Sequence, residues 1–595
     1  MAEVLFKKVD YPLKKLIEDI SIGEIGLPDI QRPFVWPRTR VRDLFDSMYR
    51  GYPVGYLLFW ENGLSGNHRS IGSEGKQKAP HLLVVDGQQR LTSLYAVMRS
   101  KPLVNKHYEE MVIRIAFNPL KGQFEVATPM LKNDPEWIPD ISVLWQPGFN
   151  EFIFISEFLE RLGAHRALID EERKKIANAI SDLINLENYP FTALEISSSV
   201  NEEQVAEIFV RINSSGTPLN QADFILTLMS VFWDDGRKQL EEFCSAATVP
   251  PSNNTPSPFN HYIKPTPDQL LRVAVALGFR RARLEYVYSL LRGKDLQTNE
   301  FSEERRVQQF QVLSESQEYV LNLQNWHDFL KVIRRSGYVN SQLITSEMAV
   351  LYTHALWLIG KRDFRVDDHT LRGVMARWFF MASLTGRYTT SPESQMEQDL
   401  ALLRHLDTAS EFVRALEYEI DTVLTNDFWT ITLPNLLAVS SARSPAQHAF
   451  FAAQSLLDAP VLYSEMKVSD LLDPSMKPVK KALERHHLFP RRYLTARGVD
   501  DRLINRVANF ALVEWTDNIE ISDKAPAAYV PSFEKRFTPD KLQAMYRLNA
   551  LPENWYEMDY EEFLAVRQRL MAEIIREGFL MLKKQPSEET VSSIS

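Results

Sequence analysis

The sequence predicts a multidomain α+β protein, and three observations carry that prediction. A short apolar run, HLLVVD at His81–Asp86, passes directly into GQQR and then into LTSLYAVMRS. A compact apolar run followed by helical spacing reads as a buried strand feeding a helix. From Gln269 to about Asn435 apolar residues recur at helical spacing with few strand signals. Near the end, His486 and His487 stand just before Pro490, with Asn509 in an apolar run and Asn518 beyond it. A chain of 595 residues is too long for one core, and suggests about three to four domains.

Composition sets the bounds. Hydrophobic content of 45% and charge of 25% are ordinary for a globular protein. The net charge of −10 does not argue against DNA binding, because local patches outweigh the total. The single cysteine, Cys244, excludes a disulfide framework and a Cys-rich zinc site. It fits a reducing, cytoplasmic location. The N-terminus, MAEVLFKKVDYPLKKL, does not read as a signal peptide. No apolar run approaches the roughly 20 residues of a membrane span, so no membrane association is expected. No repeat of fixed period is present.

In chain order, the first ~240 residues read as mixed α/β. Lys14–Ile20 predicts a short helix. Pro33 and Pro37 break the chain, and Thr39 can cap a helix carrying Val41, Leu44, Phe45 and Met48 on one face. Gly51 and Pro53 end it, and Val54–Trp60 predicts a strand. Glu61–Pro80 is rich in Gly, Ser, Asn and Lys and predicts a loop. Met111–Phe117 and Gln123–Thr128, joined by NPLKG, predict a hairpin. Phe191–Ile196 predicts another strand; Glu172–Leu186 and Glu202–Val210 predict helices. Residues 246–268, rich in Pro, Ser and Asn, predict a linker or long loop. The helical region follows, where RWFFMASL reads as core rather than as a stacking platform. A last helix, Tyr560–Leu582, precedes a polar tail at Lys584–Ser595.

The DGQQR stretch has a chemical reading. A strand that ends in Asp-Gly and opens a helix brings backbone N–H groups and Arg90 to one point, a ready anion site. Arg90 can grip a phosphate bidentately, and Asp86 could hold a metal or a ribose hydroxyl. Taken alone, a helix start capped by Asp86 accounts for the stretch equally well. The stretch resembles the DGQQR motif of the bacterial family with a ParB/sulfiredoxin-like N-terminal domain. IQRPFVW, with Gln31 and Arg32, resembles that family's upstream signature. FVRINSSGTPLNQADF, with Arg211, Asn213, Gly216, Leu219 and Asp223, resembles a third, in the family's order. The resemblance implies binding of GTP or ATP, with hydrolysis of the nucleotide, by Gln31, Arg32, Asp86, Gly87, Gln88, Gln89, Arg90 and Asn213. Sulfiredoxin chemistry is not implied, because it needs a cysteine in this loop.

The run ERHHLFPRRYL followed by NRVANFALVEWTDNIEISDKAPAAY resembles an HNH (His-Me finger) nuclease core, a ββα unit built around one divalent metal, Mg2+ or Mn2+. Phosphodiester hydrolysis needs an in-line water, a base for its proton and a cation beside the leaving oxygen. A neutral imidazole suits the base. The resemblance assigns His486 to the metal and His487 to the base. It has Asn509 hold the His487 ring and Asn518 complete the metal site. Without it, the His-His pair reads as a surface turn. Between Lys480 and Val513 eight Lys/Arg face only Glu484, Asp500 and Asp501. Such a patch suits phosphate contacts, with Arg485, Arg491 and Arg492 as DNA-binding candidates; a solvated helix face is the plainer reading.

Both ends together resemble GmrSD-type modification-dependent (type IV) restriction enzymes and related anti-phage nucleases. The implied organisation is a ParB/sulfiredoxin-like domain at 1–245, a linker at 246–268 and an all-α spacer or sensor at 269–435. A ββα-metal HNH domain embedded in helices follows at 436–583, and a tail at 584–595. The implied function is nucleotide-regulated, metal-dependent cleavage of double-stranded phage or modified DNA, with a homo-oligomer left open. Two other readings remain: a nucleotide- and DNA-binding module with a degenerate HNH scaffold, and an NTPase whose partner subunit cuts.

Overall fold

The computed structural model describes residues 5–28, 34, 36–61, 68–69, 81–105, 109–200, 204, 208, 221–251, 255–295, 298, 300, 302–441, 443–474 and 485–583. The chain divides into two compact units, residues 1–239 and 240–595. The helical region and the His-His hairpin therefore fall within one unit, without the separation expected near residue 436.

The first unit is built on a mixed sheet. Its strands are β1 (Phe6–Pro12), β2 (Ile25–Pro28), β3 (Leu57–Glu61), β4 (His68–Arg69), β5 (Leu82–Asp86) and β6 (Pro190–Ile196), in the order β1-β6-β3-β5-β2-β4. β6 runs parallel to β3 and β5 runs parallel to β2; the other pairs are antiparallel. β5 is central, and its four apolar residues are buried on both faces, which is why it reads as an unbroken apolar run. Alternation sends Leu82 and Val84 to one core with Leu57, Phe59 and Phe191, and Leu83 and Val85 to another with Leu58 and Trp60. Helices α1 (Leu13–Ile22), α2 (Arg38–Tyr49), α3 (Gln88–Met98), α4 (Glu151–Gly163) and α5 (Asp170–Ile184) contribute to the first core.

Several expectations shift. α2 begins at Arg38 behind Pro37, so Thr39 lies inside the helix and is not its cap. The strand expected at Val54–Trp60 begins only at Leu57, because the carbonyls of Val54 and Tyr56 accept hydrogen bonds from Arg90 rather than from a strand. The expected hairpin is Ile115–Asn118 paired with Gln123–Val126, while Glu110–Met111 pairs with Leu103–Val104. His68–Arg69, inside the expected loop, pairs with β2. Apart from Gln204 and Ile208, the helix expected at Glu202–Val210 lies outside the described residues, as does the tail from Lys584.

In the second unit, α6 (Pro267–Phe279) starts on a capping box between Thr266 and Gln269. The expected linker before it is no free tether. Ala246–Thr248 ends a helix. Further on, Ser257 O accepts from His327 Nε2 at 2.7 Å and Pro258 O from Trp326 Nε1 at 2.9 Å. Those residues belong to α7 (Leu323–Arg335). α8 (Glu347–Arg362) and α9 (Asp368–Thr385) are apolar nearly all round and buried accordingly. Trp378, Phe379 and Phe380 are fully buried, so RWFFMASL is core. α10 (Ala409–Val423) packs on α9. The hairpin of β7 (Arg485–His487) and β8 (Phe510–Leu512) is followed by α11 (Trp515–Ile521), and α12 (Tyr560–Met581) ends the described chain. Among the described residues no helix is long and apolar enough to cross a membrane.

Candidate functional site

β7 and β8 pair antiparallel, with His486 opposite Ala511 and His487 opposite Phe510. On its other side β8 meets Leu462, whose N–H reaches Leu512 O at 3.1 Å. Among the described residues β7 is therefore an edge strand. Neighbouring residues of a strand face opposite ways, and the two imidazoles do so here.

His486 is buried, 6% exposed, with its ring edge-on to Tyr529. Its Nδ1 lies 2.6 Å from Asn518 Oδ1, an atom carried in by α11. Among the described residues its buried Nε2 has no partner. Burial lowers its pKa to about 4, the Asn518 hydrogen bond acting against that shift. The ring is thus neutral at pH 7, as a metal ligand must be. Two donors bound to one cation at ~2.0–2.1 Å stand roughly 2.9 Å apart at right angles, so Nδ1 and Oδ1 would share an ion once the proton that Nδ1 now donates to Oδ1 had moved to Nε2. Among the described residues no group of three His, Cys, Asp or Glu is placed to hold a metal, at this hairpin or elsewhere. Two protein donors suit a hard cation that keeps several waters.

His487 is half-buried beside Phe510, with ring centroids 4.3 Å apart. Its Nε2 lies 3.2 Å from Asn505 Oδ1, and Asn505 Nδ2 donates to Asp501 O at 2.8 Å. The second bond fixes the amide's orientation, so Oδ1 must accept and Nε2 must carry the proton. Nδ1 is then the basic atom. Burial holds the His487 pKa below its ordinary value, with the Arg491 charge in the same direction. A cavity of about 480 Å³ opens beside Asn505 and Phe510, lined also by Asp501, Arg502 and Ser440.

Asn509 does not hold the His487 ring, contrary to expectation. Fully buried, it accepts from Phe489 N–H at 2.9 Å and donates to Phe489 O at 3.1 Å and Ile504 O at 3.0 Å. It pins the turn just after the two histidines, and Asn505 takes the ring. Nothing in the spacing singled out Asn505. Arg567 of α12 was also missed. Fully buried, it donates to Ala508 O at 2.6 Å, Phe510 O at 2.8 Å and Asn549 O at 3.3 Å. One sign was available: an arginine sits in the apolar stripe Phe563, Leu564, Met571, Ile574.

Asn505→Asp is expected to raise the His487 pKa, because a carboxylate favours imidazolium. A reaction needing neutral His487 gains rate as pH rises through that pKa, so its acid limb should move to higher pH. Titration of the ring by NMR checks the shift without assaying activity; an unmoved His487 resonance would sever the pair.

Of the DNA-contact candidates, Arg491 pairs with Asp501 at 3.0 Å and Arg492 with Asp523 at 2.7 Å, both largely exposed. Surface pairs are worth about 0–1 kcal/mol, so phosphates can displace these carboxylates. Arg485 lies on β7. Lys480 and Lys481 lie outside the described residues.

In the first unit, Gly87 (φ 97°) begins α3, and a Cβ there would stand 2.4 Å from Leu57 Cδ2. Glycine is required for both reasons. The residue at the N-cap of α3 is Gly87 itself, so Asp86 is not its cap. Gln88 and Gln89 are buried. Arg90 does not hold its fork toward solvent: Nη1 donates to Val54 O and Nη2 to Tyr56 O, each at 2.7 Å, with Asp86 Oδ2 at 3.3 Å. It clamps the turn at Gly55, where a Cβ would meet Arg90 Nη1 at 2.6 Å. Arg90→Ala is therefore expected to destabilise the first unit by about 2–4 kcal/mol, through two carbonyls left without donors. Calorimetric melting of the full chain would show it; an unchanged transition would make the clamp incidental. Gln31, Arg32 and Asn213 lie outside the described residues.

Residues 13–230 match the family described as GmrSD restriction endonuclease, N-terminal domain. The chain is also similar to an uncharacterized protein of Methanocaldococcus jannaschii, 24% identical over 554 residues. That similarity covers 87% of this chain and 86% of the relative, so it extends well beyond residue 230.

Proposed function

We propose that this chain is a divalent-metal-dependent endonuclease of the restriction type, cutting double-stranded phage or modified DNA under nucleotide control. One observation carries the nuclease reading: an edge strand bearing a neutral imidazole held by Asn505 and, on its other face, a buried imidazole against the Asn518 amide. The match of residues 13–230 to a restriction endonuclease domain points the same way.

In this reading His487 Nδ1 takes the proton of the attacking water, while the Asn505 contact keeps Nε2 protonated and the ring aimed. His486 and Asn518 hold Mg2+ or Mn2+, which supplies positive charge beside the scissile phosphate and the leaving oxygen. Asn509 keeps the turn after His487 rigid, and Arg485, Arg491 and Arg492 meet backbone phosphates. The start of α3, with Gly87 and Asp86, meets the phosphates of GTP or ATP. Gln31, Arg32 and Asn213 belong to this nucleotide-binding role by the sequence motifs that carry them, and Arg90 shapes the turn beside α3.

Asn518→Ala is expected to weaken metal binding, so that cleavage of plasmid DNA falls at low Mg2+ or Mn2+ and partly recovers as the metal is raised. Calorimetry of metal binding checks the cause. Unchanged metal affinity, with no recovery at high metal, would remove Asn518 from the site.

A further inference from the structure

We propose that a crevice of the second unit, between the end of α7, the start of α9 and the end of α12, binds a phosphoryl anion such as pyrophosphate or a nucleotide's triphosphate tail. The crevice encloses about 300 Å³ and is lined by Arg335, His369, Gly373, Arg377, Glu417 and Lys583 among others. It lies on different helices from the hairpin strand and its two histidines, and the proposal does not rest on the nuclease reading.

The charges there are unevenly matched. Arg377 pairs with Glu417 and also donates to Leu582 O at 3.2 Å. Lys583 pairs with Asp421 at 2.8 Å. Arg335 has no hydrogen bond or ion pair among the described residues, although it is only partly exposed. What it faces is another cation. A Cβ placed on Gly373 would stand 3.8 Å from Arg377 Nη1 and 3.9 Å from Arg335 Nη2. Two guanidinium groups therefore approach one point, over a residue with no side chain to fill it. Burial first, and then the charges of Arg377 and Arg372, push the Arg335 pKa down.

Such crowding is unfavourable until an anion enters. Guanidinium forks suit tetrahedral phosphoryl oxygens, since each presents parallel N–H donors. Lys583 adds a third cation at the rim. The volume accommodates a small phosphate chain and excludes a duplex. Arg335 is the discriminating residue, because it alone of the three lining cations has no carboxylate to satisfy.

The test is isothermal titration of the full chain with inorganic pyrophosphate, and separately with ATP, at fixed ionic strength, for wild type, Arg335→Gln and Arg335→Lys. Wild type should bind, Arg335→Gln should bind about tenfold or more weakly, and Arg335→Lys should fall between, having the charge without the fork. Loss with both ligands assigns the site to the phosphoryl group; loss with ATP alone assigns it to the nucleotide. Unliganded Arg335→Gln should melt at or above wild type, because a repulsion has been removed. Equal binding by wild type and Arg335→Gln, or binding by neither, overturns the proposal. So does an unliganded variant that melts well below wild type, which would make Arg335 a structural cation.

Discussion

Replacing His487 with alanine is expected to lower DNA cleavage by about 10²–10⁴-fold, the usual worth of a positioned general base. The fold should survive. His487 is half-buried on an edge strand and touches mainly Phe510 and the Asn505 amide. Truncation there removes no core packing of the kind that costs several kcal/mol. DNA affinity should also persist, because the proposed function gives the phosphate contacts to the arginines rather than to the imidazole. The measurement is turnover of supercoiled plasmid with Mg2+ or Mn2+, beside DNA binding by fluorescence anisotropy and a melting curve. Turnover within about tenfold of wild type, with binding and fold intact, would end the assignment of His487 as base. His486→Ala should behave differently, its loss appearing first in metal affinity, because it faces Asn518 rather than Asn505.

The largest expected effect on stability is at Arg567. Its guanidinium is fully buried and serves carbonyls of Ala508, Phe510 and Asn549. Two of those carbonyls bracket the start of β8, the strand that positions β7 and its histidines. Arg567→Met keeps much of the apolar stem and removes every donor. Hydrogen bonds from charged donors are worth about 1.5–3 kcal/mol each. Removing the buried charge returns part of that, since its desolvation is itself unfavourable. A net loss of roughly 3–5 kcal/mol is expected, as for other buried charged groups broken from one side. Arg567→Lys should recover little, because one ammonium cannot span three carbonyls held by a planar fork. Denaturant unfolding of the second unit's transition is the measurement. A midpoint change equivalent to less than about 1 kcal/mol would mean that β8 is held by its strand pairing and the aromatic cluster around Phe489 alone.

Pattern alone was enough for much of the fold. β5 was legible because an unbroken apolar run of strand length ending in Asp-Gly suits a buried strand and is too short for a buried helix. The helices of the second unit were legible because periodicity is local, and α8 and α9 repeat it for several turns. The adjacent histidines and the two asparagines marked the hairpin, and α11 does bring Asn518 to His486.

What the chain's linear order left undecided was the choice among equivalent polar groups. Asn505 and Asn509 both stand near His487, and spacing does not say which amide turns toward the ring and which toward the backbone. Tertiary packing decided it: the N–H and C=O of Phe489 are buried under Trp555 and Tyr560 and need partners, and Asn509 is the amide in reach. Arg90 is the same case. In sequence it is a free phosphate fork; in the fold it satisfies the carbonyls of a turn that cannot join the sheet. The expected linker likewise lies against α7, because its carbonyls meet the Trp326 and His327 side chains. Periodicity and turn chemistry act over a few neighbouring residues and are written in order along the chain. A buried donor's partner is whatever the folded chain brings within about 3 Å, often from a hundred residues away, and only the tertiary structure can choose it.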